Sequence, residues 1–429
     1  MHVTLNYGKS GLPVDLPREW EVEVIEKKKM PVLKDPTAGV REALSHPVDA
    51  KPLKLEAKEC RNACILICDI TRPVPNGVIL PVVIRELLAA GLSSDSITVI
   101  VATGLHRPNE GEELRELVGD DWVLDTVKVV NHYARIEEDH VDLGITTRGT
   151  RIKLDRRFVH ADLRLAIGLV EPHFMAGYSG GRKVVLPGIA YQDTIRTFHK
   201  AVFLEHPSAK NCVLEDNPLH QEQLEATELL GRTLAINAVI DENRNMSYLN
   251  FGEIRASHLE AVGFADKFSR VSVLEKFATV ITSGGGYPLD KTYYQTIKGM
   301  VGAMDILAPG GQLVIASECS EGMGSSEFLK AQTRLLKLGN ERFLTDILTK
   351  SHAAIDEWQT EMLLKPLRIG KIHLFSKCLE FTGRQMTGVH VFESIDRTVR
   401  KCVEESGKKR VAVIPEGPYV IPTYEPAND

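Results

Sequence analysis

The sequence predicts an α/β protein of two domains, each with a mainly parallel sheet flanked by helices, with any active site in the interdomain cleft. Three observations carry this expectation. The chain has 429 residues, more than one hydrophobic core usually serves. Residues 63–104 read strand, helix, strand with short links, the unit from which parallel sheets are built. From about residue 270 the pattern restarts behind a new glycine-rich turn.

In the Pro-rich first 50 residues, VTLNYG and EWEVEVIE look like short strands. ACILICDI (63–70) is an apolar run of strand length ending in the polar loop TRPVPNG. VILPVVIRELLAAGL (78–92) spaces its apolar residues as a helix does and stops at Gly91. SITVIVATG (96–104) is another buried strand, and TVKVVNH and DLRLAIGLVEPH supply further strands with polar ends. Beyond residue 270, ATVITSGGG is a strand, DKTYYQTIKGMVGAMDIL a helix, PGG its stop and QLVIASE the next strand. KIHLFSK and RVAVIPEG add late strands, while the three prolines of GPYVIPTYEPAND leave the tail little helix potential. The expected domains are 1–268 and 269–404, with the tail 405–429 returning to the first.

Composition narrows the function classes. A net charge of −6 with scattered basic residues argues against nucleic acid as the main partner. No apolar run is long enough for a membrane span, and MHVTLNYGKSG lacks the apolar core of a signal peptide. Seven cysteines, an odd number, point to reduced thiols and the cytoplasm. Cys64 and Cys68 lie in a strand and read as core thiols.

In open parallel sheets, ligands bind beyond the carboxyl ends of strands. Polar groups recur there: Asp69 and Arg72 after ACILIC, His106 and Arg107 after TVIVATG, His132 after KVVN, His173 after LRLAIGLVEP. Asp69 and Arg72 suit either an internal pair or, through Arg72, a fork on a substrate carboxylate. His106 is a loop histidine before Arg-Pro, able to transfer protons near neutral pH.

The stretch EPHFMAGYSGGRKVVLPGIA (171–190) concentrates such groups. Ser179, Gly180 and Gly181 can turn amides towards an anion, and Arg182 adds charge. Lys183 precedes VVL, so its amine is either a solvated loop cation or a desolvated nucleophile. His199 in TFHK reads as a helix residue, packed or metal-ligating. On the later helix, Tyr294, Gln295 and Lys298 have the spacing of a shared face, either solvated or turned to a ligand. HExxH, CxxC and P-loop patterns are absent, and the triple glycine is not a dinucleotide fingerprint.

DITRPVP, ATGLHRP, PHFMAGYSGGRKVVLPGIA, FHK and YYQTIK, in this order, resemble the nickel-dependent lactate racemase family, from about residue 60 into the 300s. The first 50 residues and 330–400 carry little of that signature. The resemblance implies a nickel-pincer nucleotide: nickel with a pyridinium-3-thioamide-5-thiocarboxylic acid mononucleotide, joined covalently to Lys183. It implies His199 as nickel ligand, His106 and His173 as acid–base residues, and Asp69, Arg72, Gln295 and Lys298 on the substrate side. Tyr294 and Trp358 fall where the family has pocket residues. The meeting of the 179–182 turn with a nucleotide phosphate is an inference from the residues alone.

The implied reaction is racemisation or epimerisation of a small-molecule 2-hydroxy acid such as lactate or malate, with cofactor-biosynthesis proteins as loading partners. Hydride removal avoids deprotonating a poorly acidic Cα–H, and a base for each enantiomer's hydroxyl explains two histidines. The rivals are an NAD-dependent 2-hydroxy acid dehydrogenase and a non-catalytic organic-anion binding protein. The sequence does not indicate an oligomeric state.

Overall fold

The computed structural model describes residues 1–426, which divide into two compact units. The first comprises Lys29–Phe198 and His206–Lys267. The second comprises Met1–Lys28, His199–Glu205 and the chain from Phe268.

The first unit is built on six strands in the order Met246–Glu253, Leu234–Ile240, Leu163–Leu169, Ala63–Cys68, Ile97–Ala102, Lys128–Asn131. All neighbours are parallel except the Met246–Glu253 edge. Ala63–Ile67 are all buried, as expected of a central parallel strand covered on both faces. The helix Asn76–Ala89 presents Ile79, Leu80, Val83, Ile84 and Leu87 to the same core, each at 0% exposure. Each such side chain contributes about 2 kcal/mol by leaving water.

The second unit has its own six-stranded sheet, entirely parallel: His390–Phe392, Lys371–Phe375, Leu307–Ala316, Phe277–Ser283, Arg410–Ile414, Glu21–Val24. The helix Ile395–Ser406 packs Ile395, Val399, Cys402 and Val403 against it.

Three expectations from the sequence are corrected here. EWEVEVIE does form a strand, but Glu21–Val24 pairs with Arg410–Ile414, so the N-terminal segment belongs to the second unit. The tail also joins that unit rather than returning to the first, because Ile421–Tyr424 pairs in parallel with Arg270–Val273; its last three residues lie outside the described ones. PGG is no stop: Leu307–Ala316 runs through it as one strand with a shift of register against Phe277–Thr279. Among the described residues, no helix is long and apolar enough to cross a membrane.

Candidate active site

In the first unit, Ala63–Cys68 and Leu163–Leu169 are hydrogen-bonded neighbours. The chain leaves the former towards Ile97–Ala102 on one side and the latter towards Leu234–Ile240 on the other. Strand order therefore reverses between them, which is where an open α/β sheet leaves room for a ligand. Asp69 and Arg72 follow the first strand; Glu171, His173 and Lys183 follow the second.

The Asp69 carboxylate is 8% exposed and lies 2.6 Å from His106 Nδ1, whose ring is largely exposed. Thr71 donates to Asp69 through its hydroxyl at 2.6 Å and its amide at 3.2 Å. Burial opposes the Asp69 charge, yet His106, Thr71 and Arg72 hold its carboxyl below the usual range. Asp69 is thus committed to orienting His106, not only to a substrate. Arg72 donates through one guanidinium nitrogen to Glu171.

His173 is buried, and its Nδ1 accepts from the amides of Met175 at 3.3 Å and Ala176 at 3.1 Å. The Ser179–Gly181 turn backs onto the Leu163–Leu169 strand. A Cβ at Gly168 would lie 2.7 Å from the Gly181 nitrogen, and Gly180 has φ +100°, so both positions call for glycine.

The turn expected to face an anion is tied inward at both ends. Ser179 Oγ donates to Leu169 O at 2.7 Å, and its amide donates to Glu171 O at 2.9 Å. Arg182 is fully buried. It donates to His220 Nδ1 at 2.6 Å and to the carbonyls of Ala176 at 3.4 Å and Tyr178 at 3.1 Å. His258 Nε2 lies 2.6 Å from the guanidinium and 2.8 Å from the Ser179 carbonyl. Among the described residues no carboxylate pairs with Arg182, and burial lowers it to about 9. Burial and the Arg182 charge push His220 down to about 3 and His258 well below its ordinary value. Arg182 is therefore a loop-positioning cation held by neutral imidazoles. Next to it, the half-buried Lys183 is lowered to about 7, first by desolvation and then by the Arg72 charge.

The second unit assembles another group. His199 lies just past the helix Gln192–Phe198 rather than within it. Its ring stacks on the buried Trp358 at 4.5 Å between centroids. Trp358 Nε1 donates to the Tyr294 hydroxyl at 3.1 Å, and Gln359 Nε2 donates to the Tyr294 carbonyl at 2.6 Å. Burial pushes the Tyr294 phenol well above its ordinary value. Gln295 and Lys298 are half-buried on the helix Tyr293–Ala303, and Gln295 Oε1 is a buried acceptor with no hydrogen-bond partner among the described residues. Lys365 Nζ donates to Leu204 O at 2.5 Å, and Arg368 pairs with Glu205 at 2.7 Å, fixing the segment behind His199.

Residues 7–211 match the lactate racemase N-terminal domain, and residues 274–422 match the lactate racemase C-terminal domain. The lactate racemase of Thermoanaerobacterium thermosaccharolyticum is 31% identical over 435 residues, covering 98% of this chain and 99% of that protein.

The chain belongs to the lactate racemase family.

It is accordingly an isomerase of the racemase kind. A second member, the lactate racemase of Lactiplantibacillus plantarum, is 30% identical over 388 residues, covering 89% of this chain and 90% of that one. The solved lactate racemase apoprotein of T. thermosaccharolyticum superposes with a TM-score of 0.92 at 29% identity, covering 98% of this chain and 100% of that one. A Thermotoga maritima protein shares the fold at a TM-score of 0.68 and 18% identity, covering 91% and 98% of the two chains. The resemblance drawn from GYSGGRK and LPGIA is borne out.

Sequence reasoning missed Glu171, His220 and His258. Glu171 carried a signal, since it follows the same strand as His173. His220 and His258 carried none, because only the folded chain brings them to Arg182.

Proposed function

We propose that this racemase-family chain interconverts the stereoisomers of a 2-hydroxy acid, lactate, malate or a related 2-hydroxycarboxylate. It would do so with a nickel-pincer nucleotide joined to Lys183. The observation that carries the reading is the lowered Lys183 amine beside Arg72, in a loop cluster that also holds the Asp69–His106 pair and His173.

The chain's groups fit such a cofactor. An amine lowered to about 7 is substantially unprotonated at neutral pH, the state that attacks an acyl or thioacyl carbon. His199 offers an imidazole for nickel, steadied by the Trp358 ring. Gly180 and Gly181 are buried, where a Cβ would meet Val170 and Asn237, and they hold the turn that leads into the tether; Tyr294 is the proposed aromatic neighbour of the ring. When bound, the group would supply an acceptor and donor of hydride for the substrate Cα.

The chain's own residues handle charge and protons. Neutral His106 takes the hydroxyl proton at Nε2, and Asp69 stabilises the resulting imidazolium, a pairing that contributes about 10²–10⁴-fold. His173 is the second acid–base group. Arg72 has N–H groups beyond the one given to Glu171 and forks the substrate carboxylate. Gln295, with its unpartnered oxygen, and Lys298 are the proposed substrate contacts on the second unit. Cofactor-biosynthesis proteins load the enzyme, and seven free cysteines suit the cytoplasm.

The test is enzyme produced with the cofactor-building machinery, incubated with single-enantiomer 2-hydroxy acids and read by chiral chromatography. Appearance of the opposite enantiomer is expected. Net oxidation with added NAD would indicate a dehydrogenase, and binding without stereochemical change would indicate a carrier; either overturns the reading.

A further inference from the structure

We propose that His106 and His173 are held in opposite tautomers, one ring ready to take a hydroxyl proton and the other already carrying a proton at the corresponding nitrogen. The catalytic consequence rests on the two-histidine reading above; the tautomer assignment rests on geometry alone.

The assignment follows from what faces each Nδ1. Opposite His106 Nδ1, at 2.6 Å, is Asp69 Oδ2. A carboxylate only accepts, so this nitrogen carries hydrogen and Nε2 of the neutral ring is bare. Opposite His173 Nδ1 are the amides of Met175 at 3.3 Å and Ala176 at 3.1 Å. A backbone N–H only donates, so this nitrogen is bare and the neutral ring's proton sits on Nε2. The first arrangement is set by a long-range partner, the second by the turn 173–176 itself.

The two rings therefore cannot act as interchangeable bases. His106 accepts a hydroxyl proton at Nε2 without prior rearrangement. For His173 to accept at Nε2, its own proton must first move to Nδ1, expelling two amide hydrogen bonds. One hydrogen bond is worth about fivefold, so with two to expel the first turnover through His173 should be slower by about tenfold or more. Asp69 and the Met175 and Ala176 amides are thus positioning groups for the direction of proton flow.

The experiment is long-range ¹H–¹⁵N correlation on uniformly labelled apoprotein at about pH 8.5, above the ordinary histidine range. Signals lost in His106→Gln and in His173→Gln assign the two rings. If His173→Gln does not fold, neutron crystallography of the wild-type protein locates the same hydrogens. The expected result is Nδ1–H on His106 and Nε2–H on His173.

Asp69→Asn supplies a directed reversal. Thr71 donates twice to Asp69 Oδ1, so the asparagine oxygen stays there and its NH₂ turns to His106. His106 alone should then switch to Nε2–H. Finding both wild-type rings protonated on the same nitrogen, or His106 unchanged in Asp69→Asn, overturns the proposal. Loaded enzyme that fails to racemise while showing the opposite tautomers would sink the proposed reaction and leave the assignment standing.

Discussion

Arg72 donates to the carboxylate of Glu171, joining the loops that leave the two strands between which the first sheet reverses its order. The pair is only partly shielded, with side-chain exposures of 22% and 28%, so solvent screens it. On the proposed role of Arg72, Glu171 competes with an anionic substrate for the same guanidinium. Glu171→Gln should lower KM for the 2-hydroxy acid by about fivefold, roughly 1 kcal/mol of relieved competition, with kcat little changed. Steady-state kinetics at low and high salt would check this; a raised KM would show that Glu171 instead holds Arg72 in place.

Lys183 should leave a signature in stability against pH. Its folded value, about 7, lies below the unfolded value of about 10.4. Between the two, the unfolded chain binds more protons, so stability rises with pH; below about 7 the burial penalty is complete. Lys183→Met should therefore stabilise the apoprotein at pH 7, with a gain that shrinks towards pH 10. Urea unfolding at the two ends of that window would reveal it, and a pH-independent difference would contradict the buried amine. The same variant should carry no covalent adduct by intact mass.

Arg182→Met should be destabilising despite its apolar surroundings. It strands the Ala176 and Tyr178 carbonyls and the His220 acceptor, at a cost of about 3 kcal/mol. Arg182→Lys should not restore stability, because an ammonium cannot reproduce the planar fork. Urea midpoints for both variants test this; a Lys variant equal to wild type would show that charge alone suffices.

His199→Ala should retain the Lys183 adduct but lose nickel. The ring it removes stacks on Trp358 and does not touch the amine chemistry of the tether. Elemental analysis beside intact-mass measurement separates the two effects. Full nickel retention would remove His199 from the metal's donors.

How much of this was legible depended on the range of the forces involved. Apolar runs such as ACILIC and TVIVA announce buried parallel strands, because such strands are apolar on both faces. The proposals for His106 and His173 came from their places just beyond such strands, where ligands of open parallel sheets bind. The pairing of Glu21–Val24 with Arg410–Ile414 was not legible, since hydrogen-bonding partners so distant in the chain leave no local pattern. Arg182 reads as a charge offered to an anion until His220 and His258 are seen beside it. Asp69 was noticed, but its commitment to His106 is a property of two loops together.

The excursion of His199–Glu205 into the second unit, with the first 28 residues placed there too, means that neither body is a continuous length of polypeptide. Severing the backbone at one peptide bond cannot release either intact, and a gene split near residue 268 would take the Glu21–Val24 edge from one fragment's sheet and the proposed nickel imidazole with it. Attempts to exchange halves between relatives would have to transplant three separate pieces at once.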